Sequence, residues 1–151
     1  MKKLFKEERG DILILFAFSL IFLVGMVALG TDVGLLAVKR AQLMEVGQIM
    51  RDARLEQNEL LWNASNPGQA FDQCVREYGI KNGLSSSQIQ TTYQTVENTS
   101  TDRQYNVSII LHDTYHCTTL RLFGFNQIPI NVTINGSAYE YNSGGVWSPY
   151  K

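Results

Sequence analysis

From Ile12 to Thr31 the chain runs for 20 residues without a charged side chain, and this segment limits what the remainder can build. At about 1.5 Å of rise per residue, a helix of that length covers roughly 30 Å, the thickness of a bilayer's hydrocarbon core. A soluble helix this apolar on every side needs a large domain to surround it, and 120 residues follow the run to supply one. Secretory signals have apolar regions of about 7–15 residues followed by small residues at a cleavage site. Here the run is longer, and Ala28-Leu29-Gly30 is a faint match to such a site. The expectation is a transmembrane helix over residues 12–31.

The flanks set its direction. Lys2, Lys3, Lys6 and Arg9 precede the span, while the next basic residues are Lys39 and Arg40; Glu7 and Glu8 carry little weight in orientation. Residues 1–11 are therefore expected to be a basic cytoplasmic leader, with the bulk of the chain outside. A net charge of −1 offers no basic face for nucleic acid. Cys74 and Cys117 both fall in the outer part. In an oxidising compartment a disulfide between them is the simplest expectation, with two buried free thiols as the alternative.

Beyond Asp32 the helical pattern persists with one apolar stripe. Leu36, Leu43, Val46, Met50, Ala53 and Leu60 recur at spacings of three, four and seven, with Lys39 and Gln57 interrupting the series, while Arg40, Glu45, Arg51, Asp52 and Arg54 mostly fall off it, the pattern of a half-exposed helix. Asn63, Ser65, Asn66, Pro67 and Gly68 then stop it. One helix from about Asp11 to about Trp62 is expected, with residues 32–62 as an amphipathic continuation. Gly30 and Gly34 form a small-xxx-small pair that permits close helix approach.

Residues 63–141 change character. A short helix is expected over Phe71–Tyr78, then strands over about 89–96, 104–112, 118–123 and 128–141. Tyr105, Val107, Ile109 and Leu111 alternate with mostly polar residues, as do Ile130, Val132 and Ile134, which argues for an antiparallel sheet with one buried face. The tail 142–151, with Trp147 and Tyr150, is expected to be flexible. The fold class is α+β: a long N-terminal helix packed on a small antiparallel sheet.

Chemistry is sparse. His112-Asp113-x-x-His116-Cys117 holds metal-ligand types, but a continuing strand places His112 and His116 on one face and Asp113 and Cys117 on the other. The G-x-S-x-G, P-loop and H-E-x-x-H patterns are missing. No metal, cofactor, catalytic residue or small-molecule substrate is expected. Asp32, at the outer end of the span, reads as an interfacial charge. Sequons begin at Asn63, Asn98, Asn106, Asn131 and Asn135, as they readily do by chance in so Asn-, Ser- and Thr-rich a chain.

A long helix, half apolar and half amphipathic, followed by a small antiparallel sheet is the general plan of pilins and pseudopilins. Arg9-Gly10 before the span, Asp32-Val33-Gly34 after it, then Arg40, Gln42 and Leu43 resemble TadE/TadG-like proteins of tight-adherence (Flp, type IVc) pilus systems. Tyr105-Asn106-Val107-Ser108-Ile109, and Leu122-Phe123-Gly124 leading into Ile130-Asn131-Val132-Thr133-Ile134, look like that family's closing strands. The resemblance implies a single-pass protein of a bacterial inner membrane, acting as a minor pilin or pilus-assembly component. Its partners would be other pilins or pilus-assembly membrane proteins together with membrane lipid, in a homo- or hetero-oligomer. Gly10 and Asp11 mark where a leader would be cut, although the fifth residue after Gly10 is Leu15 and not the Glu of processed pilins. Gly30, Gly34, Leu36, Leu43, Val46, Met50, Ala53 and Leu60 are the expected helix-packing surface. The alternative is a membrane-tethered binding or sensor domain unrelated to pili. An extracytoplasmic enzyme would need a pocket gathering His112, His116 and nearby carboxylates.

Overall fold

The computed structural model of the chain describes residues 4–143 and 146–149. Helix α1 spans Leu4–Glu56, α2 Asn58–Asn63 and α3 Pro67–Lys81; strands β1 Ile89–Asn98, β2 Asp102–His116, β3 Gln127–Ser143 and β4 Val146–Pro149 follow. The class is α+β. The strands lie in the order β1-β2-β3-β4, with β1 antiparallel to β2 and β3 antiparallel to β4. Two compact units result: Met1–Val38 with Tyr115–Ile128, and Lys39–Thr114 with Pro129–Lys151.

The first unit holds the apolar run, now seen as part of a helix long and apolar enough to cross a membrane. Every residue from Asp11 to Val24 on it is exposed. Burial begins at Ala28 and Asp32, one helical turn apart, where the segment between β2 and β3 lies against the helix.

The second unit owns the hydrophobic core. Tyr105, Val107, Ile109 and Leu111 of β2 are buried with Ile130, Val132 and Ile134 of β3, while Asn106, His112, Asn131, Thr133 and Asn135 face out. Period-two alternation with one covered face is what the strands' sequences demand. Leu43, Met50 and Ala53 of α1 are buried over this sheet, and Gly47 permits the closest approach. A Cβ on Gly47 would lie 2.7 Å from Ile134 Cγ1 and 3.2 Å from Leu111 Cδ1, so any side chain there would force the two elements apart. Helix α3 starts at Asn66, whose side chain accepts from the Gln69 N–H at 3.1 Å, a cap contributing about 1 kcal/mol. It packs on β1 through Phe71 against Tyr93 and through Asp72, which accepts from Thr91 Oγ1.

Several expectations are corrected. The long helix breaks at Gln57 (φ −104°, ψ 26°) instead of reaching Trp62. Beyond that break Leu61 is buried and Leu60 is 62% exposed, so the apolar series ending at Leu60 loses its phase. Thr118–Phe123 is not a strand: its first amides are taken by a side chain of α1, and Leu120–Phe123 forms a 3-10 turn. Residues 146–149 of the tail form β4, while residues 144–145 and 150–151, like residues 1–3 of the leader, lie outside the described residues. Cys74 and Cys117 are not joined; both are free and buried, each inside a different unit. Burial pushes the Cys74 thiol up, which disfavours the reactive thiolate.

Arg54, expected on the solvent side, is only 4% exposed. It continues the series Leu43, Gly47, Met50 by one more turn. Its guanidinium lies 5.6 Å from the centre of the Tyr105 ring, close enough for a cation–π contact, and donates to Ser137 O at 3.0 Å.

Met50 is fully buried, and Met50→Ala is expected to cost about 2–5 kcal/mol of unfolding free energy. Leu60→Ala should stay within about 0.5 kcal/mol. Denaturant unfolding of the detergent-solubilised protein measures both, and equal losses would contradict the break in phase at Gln57.

Candidate functional site

The most organised polar site among the described residues is built around Asp32. This residue follows directly on the apolar run of α1 and is fully buried. A bare carboxylate there would be costly, because removing a charge from water is repaid only by strong hydrogen bonds or a counter-charge. The chain supplies the bonds. Oδ1 accepts from Tyr115 Oη at 2.7 Å and from the Thr118 N–H at 2.8 Å. Oδ2 accepts from the Thr119 N–H at 3.0 Å and from the Leu120 N–H at 2.6 Å.

These four donors, two per oxygen, match the roughly four lone-pair sites of a carboxylate. Thr119 Oγ1 lies 2.9 Å from Oδ2 and equally 2.9 Å from Ala28 O. Its one proton is shared between the carboxylate and the helix carbonyl. Three successive backbone amides converging on one anion form a nest, here occupied by the protein's own side chain. Burial pushes the Asp32 carboxyl up, but the bonds from Leu120, Tyr115, Thr118 and Thr119 outweigh it and hold it well below the usual carboxylate range. The same contact raises Tyr115, chiefly because its hydroxyl donates to the carboxylate.

The segment so held turns back at once. Phe125 N–H donates to Leu120 O at 3.2 Å and Gly124 N–H to Arg121 O at 3.1 Å. Gly124 has φ +90°, a left-handed conformation that a side chain would make strained. Cys117 N–H then closes the loop on Asn126 O at 3.0 Å.

The other singled-out residues are placed as follows. His112 Nδ1 meets Asn131 Oδ1 at 2.8 Å on the outer sheet face. Asp113 is 3.1 Å from Lys39 Nζ, which also donates to Thr114 O. Among the described residues no three His, Cys, Asp or Glu side chains gather as a metal-holding group. Of the expected helix-packing residues, Leu43, Met50 and Ala53 lie in the chain's own core and Leu36 and Val46 are half-buried. Gly30, Gly34 and Leu60 are exposed, with nothing within 4 Å of a Cβ on either glycine. Gly10 and Asp11 are exposed within α1.

Asp32 was readable as an interfacial charge, but its partners were not, because three of the donors are backbone amides with no sequence signature. The one side-chain hint is Tyr115 with Thr119, four residues apart.

Comparison of the chain with protein-family models, with curated proteins and with solved structures finds no match in any of the three.

A carboxyl held below its ordinary value of 3.8 stabilises the fold above that pH and loses its contribution as pH falls towards the folded value. Thermal unfolding of wild type and Asp32→Asn in detergent should therefore show the wild type clearly more stable at neutral pH. The gap should narrow as the solution is acidified through the carboxylate range. A gap independent of pH would mean that the charge of Asp32 is not what the nest holds.

Proposed function

We propose that the chain is a non-enzymatic, membrane-anchored structural component of a pilus-type assembly, acting by helix packing and protein contact. In this reading it is a minor pilin or assembly protein of the TadE/TadG-like kind. Helix α1 crosses the cytoplasmic membrane of a bacterium once, with Lys6 and Arg9 on the cytoplasmic side, and the sheet domain lies outside. The architecture of long helix plus antiparallel sheet agrees with a pilin-like plan.

The observation that carries the proposal is a second apolar stripe on α1, away from the buried one. Gly30, Val33, Ala37, Ala41 and Met44 follow one another at spacings of three and four, and all are exposed. Most of them lie beyond Thr31, where lipid no longer explains an apolar surface. An unpaired apolar stripe of this kind marks a protein contact. Its small residues let a neighbouring helix come close. This stripe replaces Leu43, Met50 and Ala53 as the partner-facing surface, since those side chains already stabilise the chain itself.

A second reading, a tethered binding domain, is favoured by the outer sheet face. Thr92, Gln94, Asn106, Ser108, Asn135 and Ser137 line a shallow polar cleft there, with amide and hydroxyl groups suited to a polar ligand.

Ala41→Asp combined with Met44→Asp touches exposed positions only, so circular dichroism and protein level should stay at wild-type values. Pilus formation, and co-purification with other pilus-assembly proteins, should be lost. Normal pili at equal protein level would overturn the assignment of the stripe.

A further inference from the structure

The loop Cys117–Asn126 between β2 and β3 presents an apolar tip that the contacts above leave unused. Leu122 is 81% exposed, Phe125 62% and Phe123 45%. Three large apolar side chains at one turn are an unusual cost for a loop in water. The tip is also not at the outer end of the apolar helix. A Cβ on Gly25 would lie 3.6 Å from Phe123 Cζ, so the ring rests on the helix backbone at Gly25, within the Ile12–Thr31 run. Seven residues separate Gly25 from Asp32, about 10 Å along the helix axis. The loop thus descends along α1 from its attachment at Asp32.

We infer that this tip is a lipid-inserting element: Leu122, Phe123 and Phe125 are immersed in the acyl chains of the outer leaflet beside α1, with Asp32 fixing their depth. The inference rests on the reading that α1 spans the membrane. Continuity of the tip with the apolar surface of the helix points to lipid as the occupant. Backbone chemistry agrees. Non-helical chain is tolerated at membrane depth only where its polar groups are satisfied internally. Here the amides of Thr118, Thr119 and Leu120 go to Asp32, and those of Cys117, Leu122, Gly124 and Phe125 go to carbonyls of the same loop. Arg121 is exposed and long enough to keep its guanidinium at headgroup level while its stem lies along the apolar surface.

The test uses the full chain in vesicles of phosphatidylethanolamine and phosphatidylglycerol, with Trp62 and Trp147 replaced by Phe. Leu122→Trp places an indole at the most exposed tip position, and Phe16→Trp places one within the apolar run as a reference. In vesicles made with mid-chain brominated lipid, both indoles should lose most of their emission, and both should resist aqueous acrylamide. If the Phe16→Trp indole is quenched by lipid while the Leu122→Trp indole is quenched only by acrylamide, the insertion is wrong and the spanning reading stands. A Leu122→Trp indole shielded from both quenchers, and only at high protein-to-lipid ratio, assigns the tip to a protein neighbour and also overturns insertion. If neither indole responds to brominated lipid, the spanning reading itself falls.

Discussion

A single buried carboxylate sets the conformation of the segment that joins β2 to β3. Asp32 closes the apolar run of α1, and its two oxygens take the amides of Thr118, Thr119 and Leu120 and the hydroxyl of Tyr115. Without that anion, the N–H groups of Thr118, Thr119 and Leu120 would lose the acceptor on which they converge. Two effects oppose: desolvation raises the carboxyl's pKa, and the converging donors outweigh it and keep the acid ionised.

The long helix divides its labour by face and by height. In the first unit α1 buries Ala28 and Asp32 beneath the segment between β2 and β3; in the second it buries Leu43, Gly47, Met50 and Arg54. The buried residues are small or polar in the first, and apolar or cationic in the second, where the Tyr105 ring and the Ser137 carbonyl receive the guanidinium of Arg54. Other faces carry apolar residues that stay exposed among the described residues. That contrast, and not the apolar run alone, is what the proposed helix-packing role of α1 rests on.

Much of this was legible in the residues. The apolar run, the α+β class and the alternation of β2 and β3 follow from periodicity, because burial of one face imposes it. The helix break at Gln57 was not legible, since no Gly or Pro marks it and the stop at Asn63–Gly68 is far stronger. The segment Thr118–Phe123 reads as a strand because threonines and apolar residues favour strands; the competing acceptor lies 86 residues away in sequence, on Asp32. Arg54 was misplaced for a related reason. Charge argues for solvent, and only the continued spacing from Gly47 and Met50 argues against it. The apolar tip at Leu122–Phe125 could be read as residues but not as a site, since its meaning depends on the contact with Gly25.

The nest around Asp32 has a consequence for how such a chain can vary. Three of its four principal donors are main-chain amides, which every residue except proline supplies. The loop's backbone path is therefore fixed while most of its side chains are released from the task of fixing it. Position 120 can drift within the limits of its half-buried setting, whereas proline at 118, 119 or 120 removes a donor outright. Asp32 has no such latitude, because Glu would carry its oxygens a methylene farther into donors already at hydrogen-bonding distance. Relatives of this chain can share the attachment while showing little resemblance in the loop that makes it.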